Sequence, residues 1–528
     1  MMPLKGIFAE RRLPFTLISM MALLLAAPLF VVLTAPFHST APEWHHVRST
    51  ILPTHLWETI KLCSSVLSIA LLIAVPSAWL VACCDMPGRW LFNWALVLPL
   101  ALPTYISAFT YADLLGPTGR LSRSLHEITG IRIDVMSLTG LSFVLAFVLF
   151  PYIYLPARAA FSKGMASQLE AARTLGARGT DRFRRIALPL ARPAIAGGSL
   201  LLLMETLNDY GAVKYYGIRT LTTGIFRSWG GLYDTGSALR LSMVLLGLVG
   251  LLLWIEVRSR KGALQITDQV PAIRIRLKGM RAFLAGLWCS IILLLGVVLP
   301  VGKLIADVVI GWDMEMLLAT LPAFGNTLYI ATLSAITTLV IAILFAFTKR
   351  YRRRSDPAIW LSGLGYVIPG AVIAIGVMAM AGSIDRHTAP GYSMIGTIAL
   401  LTYAFTVRFL AVGTQPLYTG LRQQDIRLDE AAKILGASPW RGFLRINLPL
   451  LRPALVAAAL LVSIDVIKEL PLTLILRPFN VHTLSSQAYA AASIEQLRDA
   501  SWPALLIVLC GLVPVLFLER SVSIRQRP

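Results

Sequence analysis

Four acidic residues in otherwise apolar surroundings are the first candidates for chemistry: Glu205, Asp209, Asp465 and Glu469. Within each pair the residues are four apart, so on a helix the two carboxylates share one face. The second pair follows the first at an offset of 260 residues. Carboxylates are hard oxygen donors that suit a small, highly charged cation, and acids within apolar spans are functional candidates because their burial is costly. The competing reading is that they lie at an interface, solvated or paired with Lys468 and Arg219, and end their helices. Lys468 would repel a cation unless Asp465 or Glu469 neutralises it. The flanks also differ, Tyr210 and Gly211 standing where the second copy has Leu470 and Pro471.

Other chemistries lack their residues. The chain has no G-x-x-x-x-G-K-[ST] phosphate loop, no H-E-x-x-H, and no paired Ser, His and Asp within an apolar span, so neither ATP hydrolysis nor an embedded enzyme activity is expected of it, and no cofactor of its own. His38, His45, His46 and His55 gather in one stretch, but their spacing fits no ligand pattern and loop histidines are usually solvated. Cys63, Cys83, Cys84, Cys289 and Cys510 fall in or at the ends of apolar segments, which indicates neither a disulfide framework nor a thiolate metal site.

The elements that must position these acids are membrane spans. The 528 residues are 56% hydrophobic and only 14% charged, too apolar for one water-soluble core. Stretches long enough to cross about 30 Å of hydrocarbon run roughly over 13–35, 59–83, 91–115, 138–160, 188–208, 239–257, 282–301, 326–347, 359–381, 393–412, 448–467 and 502–518. The first is too long, and its flank too poor a cleavage site, for a signal peptide; it reads as a retained span. The expected fold is an all-α polytopic membrane protein of about 12 transmembrane helices.

The net charge of +21 raises the question of nucleic acid, which the distribution of basic residues answers. With the N-terminus in the cytoplasm, cytoplasmic segments hold 34 of the 48 Lys and Arg and the opposite side holds 14, the positive-inside bias. The densest runs are Lys349, Arg350, Arg352, Arg353 and Arg354, and Arg178, Arg182, Arg184 and Arg185. Both chain ends are then cytoplasmic, the bulk partner is membrane lipid, and no nucleic-acid partner is expected.

An internal repeat organises the chain. Residues 170–193 read EAARTLGARGTDRFRRIALPLARP and residues 430–453 read EAAKILGASPWRGFLRINLPLLRP. Each copy lies between the fourth and fifth spans of a six-span half, so the halves are parallel repeats and both copies face one compartment. The first half is 1–257, a basic cytoplasmic linker occupies 258–281, and the second half is 282–528. Within each copy (170–189 and 430–449) a short helix opens with Glu170, Ala171 and Ala172, or Glu430, Ala431 and Ala432. It reaches Gly176 or Gly436 where a helix C-terminus needs the left-handed conformation. Ser438 and Pro439 look like an N-cap followed by proline at the first helical position. Each copy is thus a polar elbow at the cytoplasmic face.

The spacing E-A-A, three residues, G, nine residues, I-x-L-P resembles the signature of permeases of prokaryotic ATP-binding-cassette importers. This resemblance implies that Glu170, Ala171, Ala172, Gly176, Glu430, Ala431, Ala432 and Gly436 couple the chain to a cytoplasmic ATPase. Two copies of that ATPase would bind ATP and magnesium, and a periplasmic binding protein would deliver substrate to an inner-membrane permease. METLNDYGAVKYYGIRTLTTGIFRSW (204–229) and DVIKELPLTLILRPFN (465–480) are similar to stretches of ferric-iron permeases, a cargo that the hard oxygens of Glu205, Asp209, Asp465 and Glu469 would suit. At about 1.5 Å per residue, Glu205 lies about 24 Å along the span that starts at Pro189, near its outer end. Fused permeases for thiamine, sulfate or another small solute share the layout. An ion-coupled secondary transporter, or a receptor or scaffold, would leave the two elbows unexplained.

The topology has a direct test. On a cysteine-free background, single cysteines at Gly179, Arg353 or Ser438 should resist an impermeant thiol reagent in intact cells, and those at Gly217 or Thr388 should be labelled. Labelling at either elbow would reverse the assignment.

Overall fold

The computed structural model describes residues 20–35, 37, 41–116, 119–130, 134–163, 166–177, 179–260, 274–351, 365, 367–388 and 393–524. Arg178, His38, Arg352, Arg353, Arg354, most of the linker, and the beginnings of the first and ninth expected spans lie outside the described residues.

The described chain is almost wholly helical, and every expected span corresponds to a helix or a bent pair. Six helices are long and apolar enough to cross a membrane unbroken: Trp44–Cys83, Arg182–Asn208, Thr235–Arg258, Met280–Ile310, Met314–Tyr351 and Ile398–Gln423. Met20–Ala35 and Gly370–Asp385 are shorter apolar helices, and the last expected span lies within Leu497–Ile524. The third, fourth and eleventh expected spans are not straight. Arg89–Ala101 and Thr104–Leu115 meet at 94°, Leu138–Leu149 and Pro151–Ser162 at 43°, and Pro439–Leu450 and Arg452–Lys468 at 74°. Each break has a proline at or beside it (Pro103, Pro151, Pro453), which removes a backbone donor and crowds the preceding turn. Apolar composition alone carried no sign of these bends.

The chain divides into two compact units that interleave along the sequence. One comprises Met1–Trp44, Ser228–Met243 and Thr320–Ser486, the other His45–Arg227, Val244–Ala319 and Gln487–Pro528. The first helix of each sequence half is therefore grouped with residues of the other half.

Packing within each unit relies on small side chains, as expected where lipid offers no hydrophobic gain for helix association. In the second unit Ala70, Ala74 and Ala78 line one buried face of Leu52–Cys83. Gly198 lies so close to the fourth span that a Cβ would stand 2.5 Å from the Tyr152 carbonyl oxygen and 2.8 Å from Ile153 Cα. Phe150, Tyr154 and Phe161 are fully buried beside it. In the first unit Phe345, Phe347, Leu417, Tyr418 and Phe443 form a core with Ala22 of the N-terminal helix.

One non-helical feature ties down the end of the linker. Cys84–Asp85 pairs in parallel with Ile275–Arg276, and Leu277 N–H donates to the Asp85 carbonyl at 3.1 Å. Burial there pushes the Cys84 thiol up to about 11, which makes it inert at neutral pH.

Gly198→Leu should abolish assembly, because the clash is with backbone that has no room to retreat. Gly250→Ala should be tolerated, since a Cβ at Gly250 meets nothing within 4 Å. The yield of monodisperse protein after detergent extraction measures both, and normal recovery of Gly198→Leu would contradict the packing described.

Candidate functional site: two elbows and two broken helices

The elbows form as the repeated sequence requires. Ala166–Thr174 and Arg427–Ile434 are the short helices, and each ends in a left-handed glycine, Gly176 at φ 81° and Gly436 at φ 78°. Two reverse hydrogen bonds close each end. Gly176 N–H donates to the Arg173 carbonyl at 3.0 Å and Ala177 N–H to the Ala172 carbonyl at 2.9 Å. In the second copy Gly436 donates to Lys433 at 3.1 Å and Ala437 to Ala432 at 2.9 Å. This is the Schellman arrangement. Ser438 then caps the next turn by accepting from Arg441 N–H at 3.4 Å, with Pro439 at its first position.

Each elbow has a buried root and a bare tip. Ala172 and Ala432 are buried, while Glu170, Ala171, Glu430 and Ala431 are exposed. Beyond them Leu175 is 87% exposed, Ile434 86% and Leu435 86%. Each polar elbow thus presents an exposed leucine at its tip. The roots rest on matched aromatic contacts. Phe183 lies 5.2 Å from Trp79, and its counterpart Phe443 lies 5.5 Å from Phe347.

The second elbow carries a polar brace. Arg350 Nε donates to Asp429 Oδ2 at 2.6 Å, and its Nη1 to the Leu421 and Gln424 carbonyls at 3.0 and 3.3 Å. The Tyr351 hydroxyl donates to Asp429 Oδ1 at 2.9 Å. In the sequence Arg350 reads only as part of a cytoplasmic basic run, and nothing in that run distinguishes it from its neighbours.

The four candidate pathway acids lie where their helices stop, two in each compact unit. Leu188–Asn208 ends at Asp209 (φ −67°, ψ 122°) and Arg452–Lys468 ends at Glu469 (φ −71°, ψ 122°). Both side chains then cap the helix that follows. Asp209 Oδ1 accepts from Ala212 N–H at 3.0 Å at the start of Gly211–Tyr215. Glu469 Oε1 accepts from Leu472 N–H at 3.4 Å in Pro471–Leu476. Glu205 and Asp465 sit one turn earlier, both partly buried. Helix-ending and burial thus coexist in Asp209 and Glu469, which the sequence reading had set against each other.

The second-half acids are matched by cations. Lys468 Nζ stands 3.1 Å from Asp465. Arg408 Nε stands 3.3 Å from Glu469 Oε2, with both side chains more than nine-tenths buried, and Arg408 Nη1 donates to the Ile368 carbonyl at 3.0 Å. Gly370 makes room for this pair, since a Cβ there would fall 2.6 Å from Glu469 Oε1 and 2.9 Å from Arg408 Nη1. In the first half Val148 occupies the position equivalent to Arg408. Asp209 is 7% exposed, and its Oδ2 takes no hydrogen bond. Arg408 had a signal in the sequence, being a lone charge within the tenth apolar stretch. Of the histidines, His55 is buried with Nδ1 2.8 Å from the Ile51 carbonyl, a packed residue of a helix. Among the described residues no three His, Cys, Asp or Glu side chains gather as a metal site.

Residues 325–527 match the family described as binding-protein-dependent transport system inner membrane component. The chain is 28% identical over 444 residues to the Fe(3+)-transport system permease protein FbpB 2 of Haemophilus influenzae, covering 82% of this chain and 83% of that one. It is 24% identical over 562 residues to the probable ABC transporter permease protein y4fN of Sinorhizobium fredii, covering 98% and 95%. It is 34% identical over 167 residues to the molybdenum transport system permease protein ModB of Escherichia coli, covering 31% of this chain and 72% of that one.

Arg408→Met should destabilise the protein by about 3–5 kcal/mol, because it leaves the Glu469 carboxylate buried without its counter-charge. Combining it with Glu469→Gln should restore most of the loss. Thermal unfolding of the detergent-solubilised protein measures both, and equal damage in the single and double variants would show that the pair is not coupled.

Proposed function

We propose, from the premise that this chain belongs to the family of binding-protein-dependent transport system inner membrane components, that it is the transmembrane permease subunit of an ATP-driven ferric-iron importer. Members of this family are multi-pass permeases, and such a permease supplies the passage while other subunits supply energy and cargo. The observation that carries the reading is the pair of elbows. They share one Schellman geometry at an offset of 260 residues, and each exposes a leucine beside the E-A-A glutamate. Two equivalent docking points on one chain call for two copies of one ATPase, which binds ATP and magnesium, so this chain needs neither cofactor nor catalytic residues. A periplasmic binding protein brings the substrate, and the basic linker and both termini lie on the cytoplasmic side of the inner membrane.

Iron is favoured over other cargoes by coverage and by chemistry. The likeness to the Fe(3+)-transport permease extends over 82% of this chain, against 31% for the molybdenum permease. Molybdate is an anion, and the partly buried Glu205 and the buried Asp209 would oppose its passage, whereas hard oxygens favour a small, highly charged cation. The paired acids Asp465 and Glu469 contribute less to such a passage, because Lys468 and Arg408 offset their charge.

Uptake of radioactive iron by iron-starved cells tests the reading, with the chromosomal copy deleted and variants supplied in trans. Glu170→Lys combined with Glu430→Lys should abolish uptake and co-purification of the ATPase while insertion stays normal. Asp209→Asn should reduce uptake severalfold with the ATPase still bound. Normal iron uptake in the deletion strain, beside a defect for thiamine or sulfate, would reject iron and leave the importer standing.

A further inference from the structure

The two halves keep the same joints, and the joints fix which residues correspond. Thr59 Oγ1 accepts from Leu221 N–H at 2.9 Å and donates to the His55 carbonyl at 2.6 Å. Thr327 Oγ1 accepts from Leu484 N–H at 2.8 Å and donates to the Ala323 carbonyl at 2.7 Å. These bonds close the starts of Leu221–Phe226 and Leu484–Ser493. Leu221 therefore corresponds to Leu484, and five residues further on Phe226 corresponds to Tyr489. The offset grows from 260 to 263 because the second half has three more residues between its broken helix and this joint.

Both corresponding rings meet one residue. Tyr210 stacks on Phe226 with centroids 3.6 Å apart and planes 17° from parallel, and its ring lies 6.0 Å from that of Tyr489. The two tyrosine hydroxyls are hydrogen-bonded to each other. All three residues belong to one compact unit. In parallel repeats related by a pseudo-two-fold axis, equivalent residues can share a neighbour only close to that axis, since the axis passes midway between them. The passage of a two-half permease follows the same axis.

Asp209 immediately precedes Tyr210. Its buried Oδ2 has no well-formed hydrogen bond, the Thr104 side chain reaches the same carboxylate, and Glu205 adds a second acid nearby. We infer that Tyr210, Phe226 and Tyr489 form the constriction that closes the transport passage, and that Asp209 beside them makes it selective for small hard cations over anions. The inference rests on the permease reading above. Stacked rings exclude hydrated ions by leaving them no water, and a buried carboxylate with one open oxygen lowers the barrier for a cation while raising it for an anion.

The test uses the full chain alone in liposomes, without ATPase or binding protein, and compares passive leak of potassium and of chloride. Wild type and Tyr489→Phe, which keeps the ring, should be tight. Phe226→Ala combined with Tyr489→Ala should leak potassium severalfold faster than wild type and faster than chloride. Adding Asp209→Asn should remove that preference. Phe226→Leu with Tyr489→Leu keeps the apolar volume and loses the stacking, so it should also leak if the alanine pair cannot be purified. Tight vesicles from a well-folded double variant would overturn the constriction, and a leak indifferent to Asp209 would overturn the selectivity. These outcomes do not depend on iron uptake, so a failed iron assay with a cation-selective leak would reject the cargo and leave the constriction in place.

Discussion

A helix that stops inside a membrane protein must find partners for its freed backbone groups within the protein, because lipid supplies none. The rest of this structure follows from how the chain meets that requirement at two places. After Asn208 and after Lys468 the long helix breaks, and the next residue's carboxylate caps the helix that follows. A threonine of another span then receives the N–H that opens the next helix, Thr59 for Leu221 and Thr327 for Leu484. The backbone angles at the two breaks agree within a few degrees. The same solution appears twice because the sequence that makes it was duplicated, and a broken helix satisfied from its neighbours is the kind of element that can line a passage without unfolding.

The halves have nonetheless diverged in charge. The second-half break contains a buried ion pair, Arg408 with Glu469, with Gly370 providing the room. The first-half break has Val148 in place of the arginine and a carboxylate oxygen that accepts nothing. The second elbow is braced by Arg350 and Tyr351 on Asp429, where the first half has Leu169 at the position of Asp429. A buried carboxylate facing a buried cation has its charge offset within the protein, whereas one without a cation beside it carries more of its desolvation cost. The two breaks thus share one backbone solution and differ in how their buried carboxylates are offset.

Much of this was legible in the sequence, for identifiable reasons. Glu170, Gly176, Glu430 and Gly436 announce the elbows because a Schellman end needs glycine at one position, and that need survives in the letters. Spans were legible because lipid demands about twenty apolar residues in a row. The prolines were visible but not the angles they produce, since a bend depends on what the far segment packs against. Asp209 and Glu469 were visible as acids, but their capping role depends on short helices that apolar composition does not mark. Tyr489 gave no sign at all, because a three-residue insertion shifts it out of the 260-residue register that aligns the elbows and the broken helices. Nor does a linear repeat reveal that the first helix of each half is grouped with residues of the other.

The elbow and the constriction of the first half are the two ends of one element. Arg182–Asn208 is an unbroken helix of 27 residues, about 40 Å at helical rise. It begins just past the Schellman turn at Gly176 and ends at Asp209 and Tyr210. Its second-half counterpart bends by 74° after Leu450, which separates the motion of that elbow from the far end of its span. A continuous helix packed on the fourth span through Gly198, with no space at that contact, has little room to absorb a displacement at its cytoplasmic end there, because close-packed interfaces shift between arrangements rather than deform continuously. On the proposed reading, movement of the ATPase at Glu170 and Leu175 is therefore delivered to the Tyr210–Phe226 stack through one rod. The residues at the end of that rod are an aromatic plug and a carboxylate, which places the barrier and the group that selects what passes it on the same moving part.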